Sequence, residues 1–161
     1  MNKISKRSEK VAFFSTDSKN NSFSRMCGFT EFTVSKNPVE YSRKYIDEQT
    51  ERSDVVAYAP SISYSFDKFS DDLVHKEFIN ISDNEIVGSD ATRDIVIVDF
   101  STDGDIKNAI CRKWTIIPDS EGKDSNTYTY SGTLKANGEI ISGTVVSSDN
   151  WQTCTFLEND E

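Results

Sequence analysis

The stretch Tyr128–Ser148, YTYSGTLKANGEIISGTVVSS, alternates bulky and small polar residues on both sides of an Asn-Gly pair. Tyr128, Tyr130 and Leu134 fall on one side of the first run, with Thr129, Ser131 and Thr133 on the other. A period of two is the mark of a β-strand. Asn137-Gly138 between two such runs predicts a tight hairpin, because both residues tolerate the positive φ that a two-residue β-turn requires. Strand-like runs continue upstream in RDIVIVDF (93–100) and, after the turn STDGD (101–105), in IKNAICRKWTIIP (106–118). Downstream, Asp149-Asn150 opens a last turn and WQTCTFLE (151–158) reads as a closing strand.

Nearer the N-terminus the signals weaken. Phe29–Val34 alternates, and Lys36-Asn37-Pro38 marks a turn. Residues 39–47, VEYSRKYID, alternate again, but neither face is cleanly apolar, which suits a solvated hairpin or a strand held between copies of the chain. SDVVAYAPSISYSFD (53–67) is a long strand broken by Pro60, hence an edge, a bulge or a bend. Residues 71–84, DDLVHKEFINISDN, are the helix candidate: Val74, Phe78 and Ile81 share one face, and Asp71 and Asp72 suit its N-terminal end. Residues 1–24 are polar and Ser/Asn-rich, with apolar content concentrated at Phe13 and Phe14. They read as a flexible arm with a sticky patch for a neighbouring copy. Removing residues 1–20 is therefore expected to weaken assembly and leave the subunit folded. The expected architecture is mainly β: a sandwich or barrel of about seven to nine strands with one flanking helix at about 71–84. Residues 25–161 form its single domain, with an extended hairpin or loop around 36–54.

Composition narrows the function classes. The chain has 161 residues, of which 35% are hydrophobic and 11% aromatic, enough for one thin core that gains from surface buried against partners. The net charge of −9 is split, with +3 on residues 1–52 and −12 on residues 53–161. An acidic body disfavours clamping of nucleic acid, whereas a basic N-terminal region suits the acidic body of a neighbouring copy. No apolar run approaches the ~20 residues of a membrane span. MNKISKRSEK is basic but is not followed by a secretory apolar core, so the chain is expected to stay in the cell that made it or to leave by lysis.

Catalytic signals are sparse. Cys27, Cys111 and Cys154 are far apart, form no CxxC pair, and read as reduced thiols. His75 is the only histidine and is expected on the helix surface. DFSTDGD, with Asp99, Asp103 and Asp105, lacks the spacing and closing Glu of a calcium loop. Trp114 and Trp151 read as core or interface aromatics. No nucleophile elbow or nucleotide fingerprint is present. The chain is read as no enzyme, with no catalytic, cofactor-binding or metal site.

Several phrases in order along the chain carry a resemblance. KNPVEYSRKYIDEQTERSDVVAYAPSISYSFD, VHKEF, VGSDATRDIVIVDF and YTYSGTLKANGEIISGTVVSSDNWQTCTF together resemble the tail tube (major tail) proteins of long-tailed phages and prophages of Gram-positive bacteria. The resemblance covers about Cys27 to Phe156. It implies a structural virion subunit, made in the host cytoplasm, whose rings, usually of six, stack into a hollow tube. The implied partners are the chain itself, a tape-measure protein, and the tail terminator and distal tail or baseplate proteins. DNA passes through the lumen without sequence-specific binding, and an acidic wall would repel its phosphates. The residues expected to contact neighbouring subunits or rings are Phe13, Phe14, Tyr41, Arg43, Lys44, Tyr45 and Arg52. Alternatives are another virion β-protein, such as a head–tail connector or decoration module, and a small β-sandwich hydrolase.

Overall fold

A computed structural model describes residues 2–160; Met1 and Glu161, the outer limits of the two segments anticipated above, lie outside the described residues. The chain is mainly β with one flanking helix, as its alternation predicts. Its strands are β1 (Lys10–Asp17), β2 (Ser22–Arg25), β3 (Phe29–Ser35), β4 (Pro38–Arg43), β5 (Arg52–Tyr58), β6 (Ser61–Asp67), β7 (Thr92–Asp99), β8 (Lys107–Glu121), β9 (Thr129–Ala136), β10 (Ile141–Val146) and β11 (Thr153–Glu158). Helix α1 spans Leu73–Asp83.

The strands form one large sheet in the order β10-β11-β2-β1-β7-β8-β9-β6-β3, all neighbours antiparallel. An additional pairing of β10 with β8 closes six of them (β1, β2, β11, β10, β8 and β7) into a small barrel. The 15-residue β8 belongs to both halves of the molecule. Its first part, Lys107–Cys111, pairs with β10 in the barrel, and its second part, Trp114–Glu121, pairs with β9 in an open sheet, β8-β9-β6-β3.

Two apolar clusters follow from this plan. The barrel interior holds Phe13, Phe23, Val96, Val98, Val145 and Phe156 together with the thiols of Cys111 and Cys154. The second cluster lies between α1 and the sheet, where Phe14, Tyr64, Phe66, Ile95, Trp114 and Leu134 meet Val74, Phe78 and Ile81 of the helix. Successive residues of a strand point to opposite faces, so Phe13 and Phe14 enter different cores; both are 0% exposed. α1 starts at Asp72, whose carboxylate accepts from the N–H groups of Val74 and His75 at 2.9 and 3.1 Å. This satisfies two of the donors that a helix start leaves unpaired. Phe78 plugs the sheet against Phe14 and Tyr64, with ring centroids 5.1 and 4.9 Å away.

Four expectations are corrected. Residues 10–25 are not an arm: β1 lies between β2 and β7 and is ordered by two buried faces. Phe13 and Phe14 are core residues, so they are not available to a neighbouring subunit. The strand total exceeds the anticipated range because β1 and β2 lie in that supposed arm and because Pro60 splits residues 53–67 into β5 and β6. Finally, Asn137-Gly138 is no hairpin turn. β9 and β10 do not pair with each other; they run end to end along β8, and the Asn-Gly step sits where the chain passes from sheet to barrel. Asn137 N–H donates to Lys113 O at 2.9 Å and Arg112 Nε to Gly138 O at 2.8 Å, which holds this corner against β8.

Candidate assembly surfaces

The open sheet β8-β9-β6-β3 has one covered face and one bare face. Its covered face carries Ile62, Tyr64 and Phe66 of β6 and Leu134 of β9. The bare face follows from the register as three rows across four strands. They are Ser35–Ser61–Lys135–Thr115, Thr33–Ser63–Thr133–Ile117 and Glu31–Ser65–Ser131–Ser120. Nine of these twelve positions carry a hydroxyl, and one Glu and one Lys leave the patch without net charge. The acid excess of the chain is therefore not concentrated here. Ser120 and Ser131 share a hydrogen bond of 2.8 Å across the strands. Gly132 lets the backbones close in beside them: a Cβ there would stand 2.4 Å from Ile117 O. The signal for this face was present in sequence as hydroxyls at every second place in SISYSFD and YTYSGT, joined by Thr33 and Ser35 of FTEFTVS.

The same sheet ends in two open edges. β3 pairs only with β6. On the far side, β7 begins at Thr92 opposite Thr115, so Ile116–Glu121 of β8 have no strand beyond them. Unpaired edges offer rows of N–H and C=O groups to another chain.

β4 and β5 form a separate two-stranded ribbon in which every residue is exposed. Tyr41 and Tyr45 are 46% and 50% exposed. The guanidinium of Arg43 lies 5.4 Å from the Tyr41 ring centre, and that of Arg52 lies 6.0 Å from Tyr45. Arg52 Nε also donates to Glu48 Oε2 at 2.8 Å. These are exposed contacts of small individual worth, but they order the ribbon locally. Of the residues anticipated as contacts, the structure thus gathers Tyr41, Arg43, Lys44, Tyr45 and Arg52 on or beside this ribbon, and puts Phe13 and Phe14 in the core.

His75 is 0% exposed, not a surface residue. Its Nδ1 accepts from Phe69 N–H at 3.0 Å, which leaves Nε2 to donate to Cys27 O at 2.6 Å. The ring lies tilted against Phe66, 4.4 Å between centroids. Both nitrogens are spent on backbone groups, so it ties the start of β3 to the turn before α1. Burial pushes the thiols of Cys111 and Cys154 up to about 12, which keeps them protonated and poorly nucleophilic. Among the described residues, no three His, Cys, Asp or Glu side chains are grouped to hold a metal ion. Among the described residues, no helix is long and apolar enough to cross a membrane.

No protein-family model matches the chain, and no curated protein matches it. A solved structure does. It is a chain from the tail of an empty GTA particle, computed with helical refinement and C6 symmetry. The likeness has a TM-score of 0.61 at 12% sequence identity and covers 85% of this chain and 97% of that one. An open sheet with a bare hydroxyl face, a closed barrel and a flanking helix thus form a fold similar to that of a particle's tail protein.

Proposed function

We propose that the chain is the repeating subunit of a phage-like tail tube, self-assembling into six-membered rings that stack into a hollow virion tail. One observation carries the reading: a four-stranded sheet with a nearly uncharged hydroxyl face is left open at both edges. In solution such edges invite uncontrolled pairing. In a ring, the β3 edge of one copy meets the distal β8 edge of the next, and rotation closes the series. The hydroxyl rows then face the channel. Short side chains keep it wide, and one Lys among twelve positions gives DNA phosphates little to hold. The genome slides because the wall is neutral and hydrated, not because it is acidic. Tyr41, Arg43, Lys44, Tyr45 and Arg52 on the bare ribbon reach a neighbouring subunit or ring. A tape-measure protein fills the tube before DNA does, and terminator and distal tail proteins cap its ends. Six-fold rings or tubes in negative-stain microscopy of concentrated protein are the expected result. A single monomeric species at every concentration would overturn the reading.

A further inference from the structure

Helix α1 leaves part of its own side of the sheet uncovered, and a groove of about 620 Å³ lies there beside the N-terminal turn. Ala12, Ile97, Ile110 and Trp114 form its floor, with Phe32 and Val34 of β3 as one wall. The rim is basic: Lys6, Arg7, Lys10, Lys36 and Arg112 against Glu9 and Asp99. That is five cations to two carboxylates, in a chain whose overall charge is −9. Both carboxylates are engaged, Glu9 with Lys3 at 3.2 Å and Asp99 with Ser101 N–H at 2.9 Å. Among the described residues, Lys6, Lys10 and Lys36 make no ion pair.

A surface of the opposite character projects from the same chain. Residues 38–58 carry five carboxylates (Glu40, Asp47, Glu48, Glu51, Asp54) and three cations (Arg43, Lys44, Arg52). The ribbon also exposes Val39 by 47% and Val55 by 50%. A lone two-stranded ribbon is marginal in water and gains from a partner surface. It does not lie in its own groove, since it departs from β3 at the rim beside Lys36 and stays exposed along both strands.

We propose that this basic, apolar groove receives the acidic β4–β5 ribbon of a second copy of the chain. The inference rests on the tail-tube reading and names the receiving site for that ribbon. The contact is heterologous, ribbon to groove, so each copy still offers one free ribbon and one free groove. Repetition therefore extends the assembly. Opposite charge sets the pairing and speeds encounter, and the apolar floor covers Val39 and Val55.

Charge reversal on both sides tests it in the full-length chain. Lys6→Glu, Lys10→Glu and Lys36→Glu together reverse the rim at exposed positions, and Asp47→Lys with Glu51→Lys reverses the ribbon tip. Each reversed chain should self-associate about tenfold less tightly or worse by sedimentation, with an unchanged thermal midpoint. The chain carrying all five substitutions should recover most of the loss, as should an equimolar mixture of the two reversed chains. Normal tubes from the rim-reversed chain would overturn this contact and leave the tube reading intact. A five-fold variant as impaired as the rim-reversed chain would show that something other than the ribbon fills the groove, and would equally overturn it. A wild-type chain that never assembles would overturn the tube reading, and this contact with it.

Discussion

β1–β2 and β4–β5 are both short antiparallel pairs drawn from the polar first third of the chain, and they meet opposite fates. β1 sits in the middle of the large sheet with Phe13 in the barrel and Phe14 under the helix. β4–β5 pairs with no strand of that sheet and has no buried residue. The difference is not one of overall polarity. Two adjacent aromatics in a strand necessarily point to opposite faces, so Phe13-Phe14 needs a core on each side. The ribbon spreads Val39, Tyr41, Val55 and Tyr58 among charges on both faces, and so provides no side that a thin core can absorb. The first pair belongs to the folded body, and the second stands outside it with every residue exposed.

The sharpest way to break that comparison is to delete residues 1–20. This should abolish the cooperative unfolding transition rather than leave a folded, non-assembling subunit. Phe14→Ala tests the same point more gently: a loss of about 3–5 kcal/mol and a fall in Tm of roughly 10 °C. Gly143→Ala should cost about 1–3 kcal/mol in a denaturant titration, because the new Cβ would stand 2.2 Å from Leu157 O inside the body. Asp72→Ala removes the cap that seats the helical lid and should cost about 1 kcal/mol by the same measurement. On the ribbon, Tyr41→Ala should change subunit stability by less than about 0.5 kcal/mol while weakening assembly. A large drop in Tm would show that the ribbon belongs to the fold after all.

The acid limb of the stability curve tests Asp149, in the turn before β11. Donation from the Thr153 side chain and N–H, and from Ser147, lowers its carboxyl from 3.8 to about 2. A carboxylate held lower in the folded chain than in the unfolded one stabilises the fold above pH 3.8, and that contribution is lost as pH falls toward 2. Asp149→Asn should flatten the stability curve in that window. An unchanged slope would show that the turn does not depend on the charge.

Much of the architecture was legible in sequence, for identifiable reasons. The helix was readable to within two residues at each end because Asp72 caps it and Val74, Phe78 and Ile81 keep one face. The strands of residues 93–118 were readable because Ile95–Val98 is a strand-sized apolar run and Ala109, Cys111 and Trp114, Ile116 recur at a spacing of two. The first segment reads as an arm because the apolar run of β1, Val11–Phe14, is short and flanked by polar residues, and only its pairing with β7 reveals its two cores. Asn137-Gly138 misled because a hairpin signal describes local backbone preference, whereas β8 supplies a longer partner to both flanking strands. The hydroxyl face was visible as letters but not as a surface, since rows of Ser and Thr acquire meaning only once four strands are in register. The exposure of the ribbon was legible as the failure of a pattern, which is how a strand without a core presents itself.

β8 also has a mechanical consequence. At about 3.3 Å per residue, its 15 residues make a continuous strand roughly 50 Å long from the barrel to the far end of the open sheet, with one irregularity near that end, between Pro118 and Ser120. There is no loop between its halves to act as a pivot, and the Asn137-Gly138 corner is pinned to it by hydrogen bonds on both sides of the step. Bending one half against the other would require breaking paired backbone on both flanks of the strand. In any assembly of such subunits, a push on the barrel of one copy would be carried along β8 to its open sheet. Flexure of the whole would then fall to the joints between copies rather than to any copy itself.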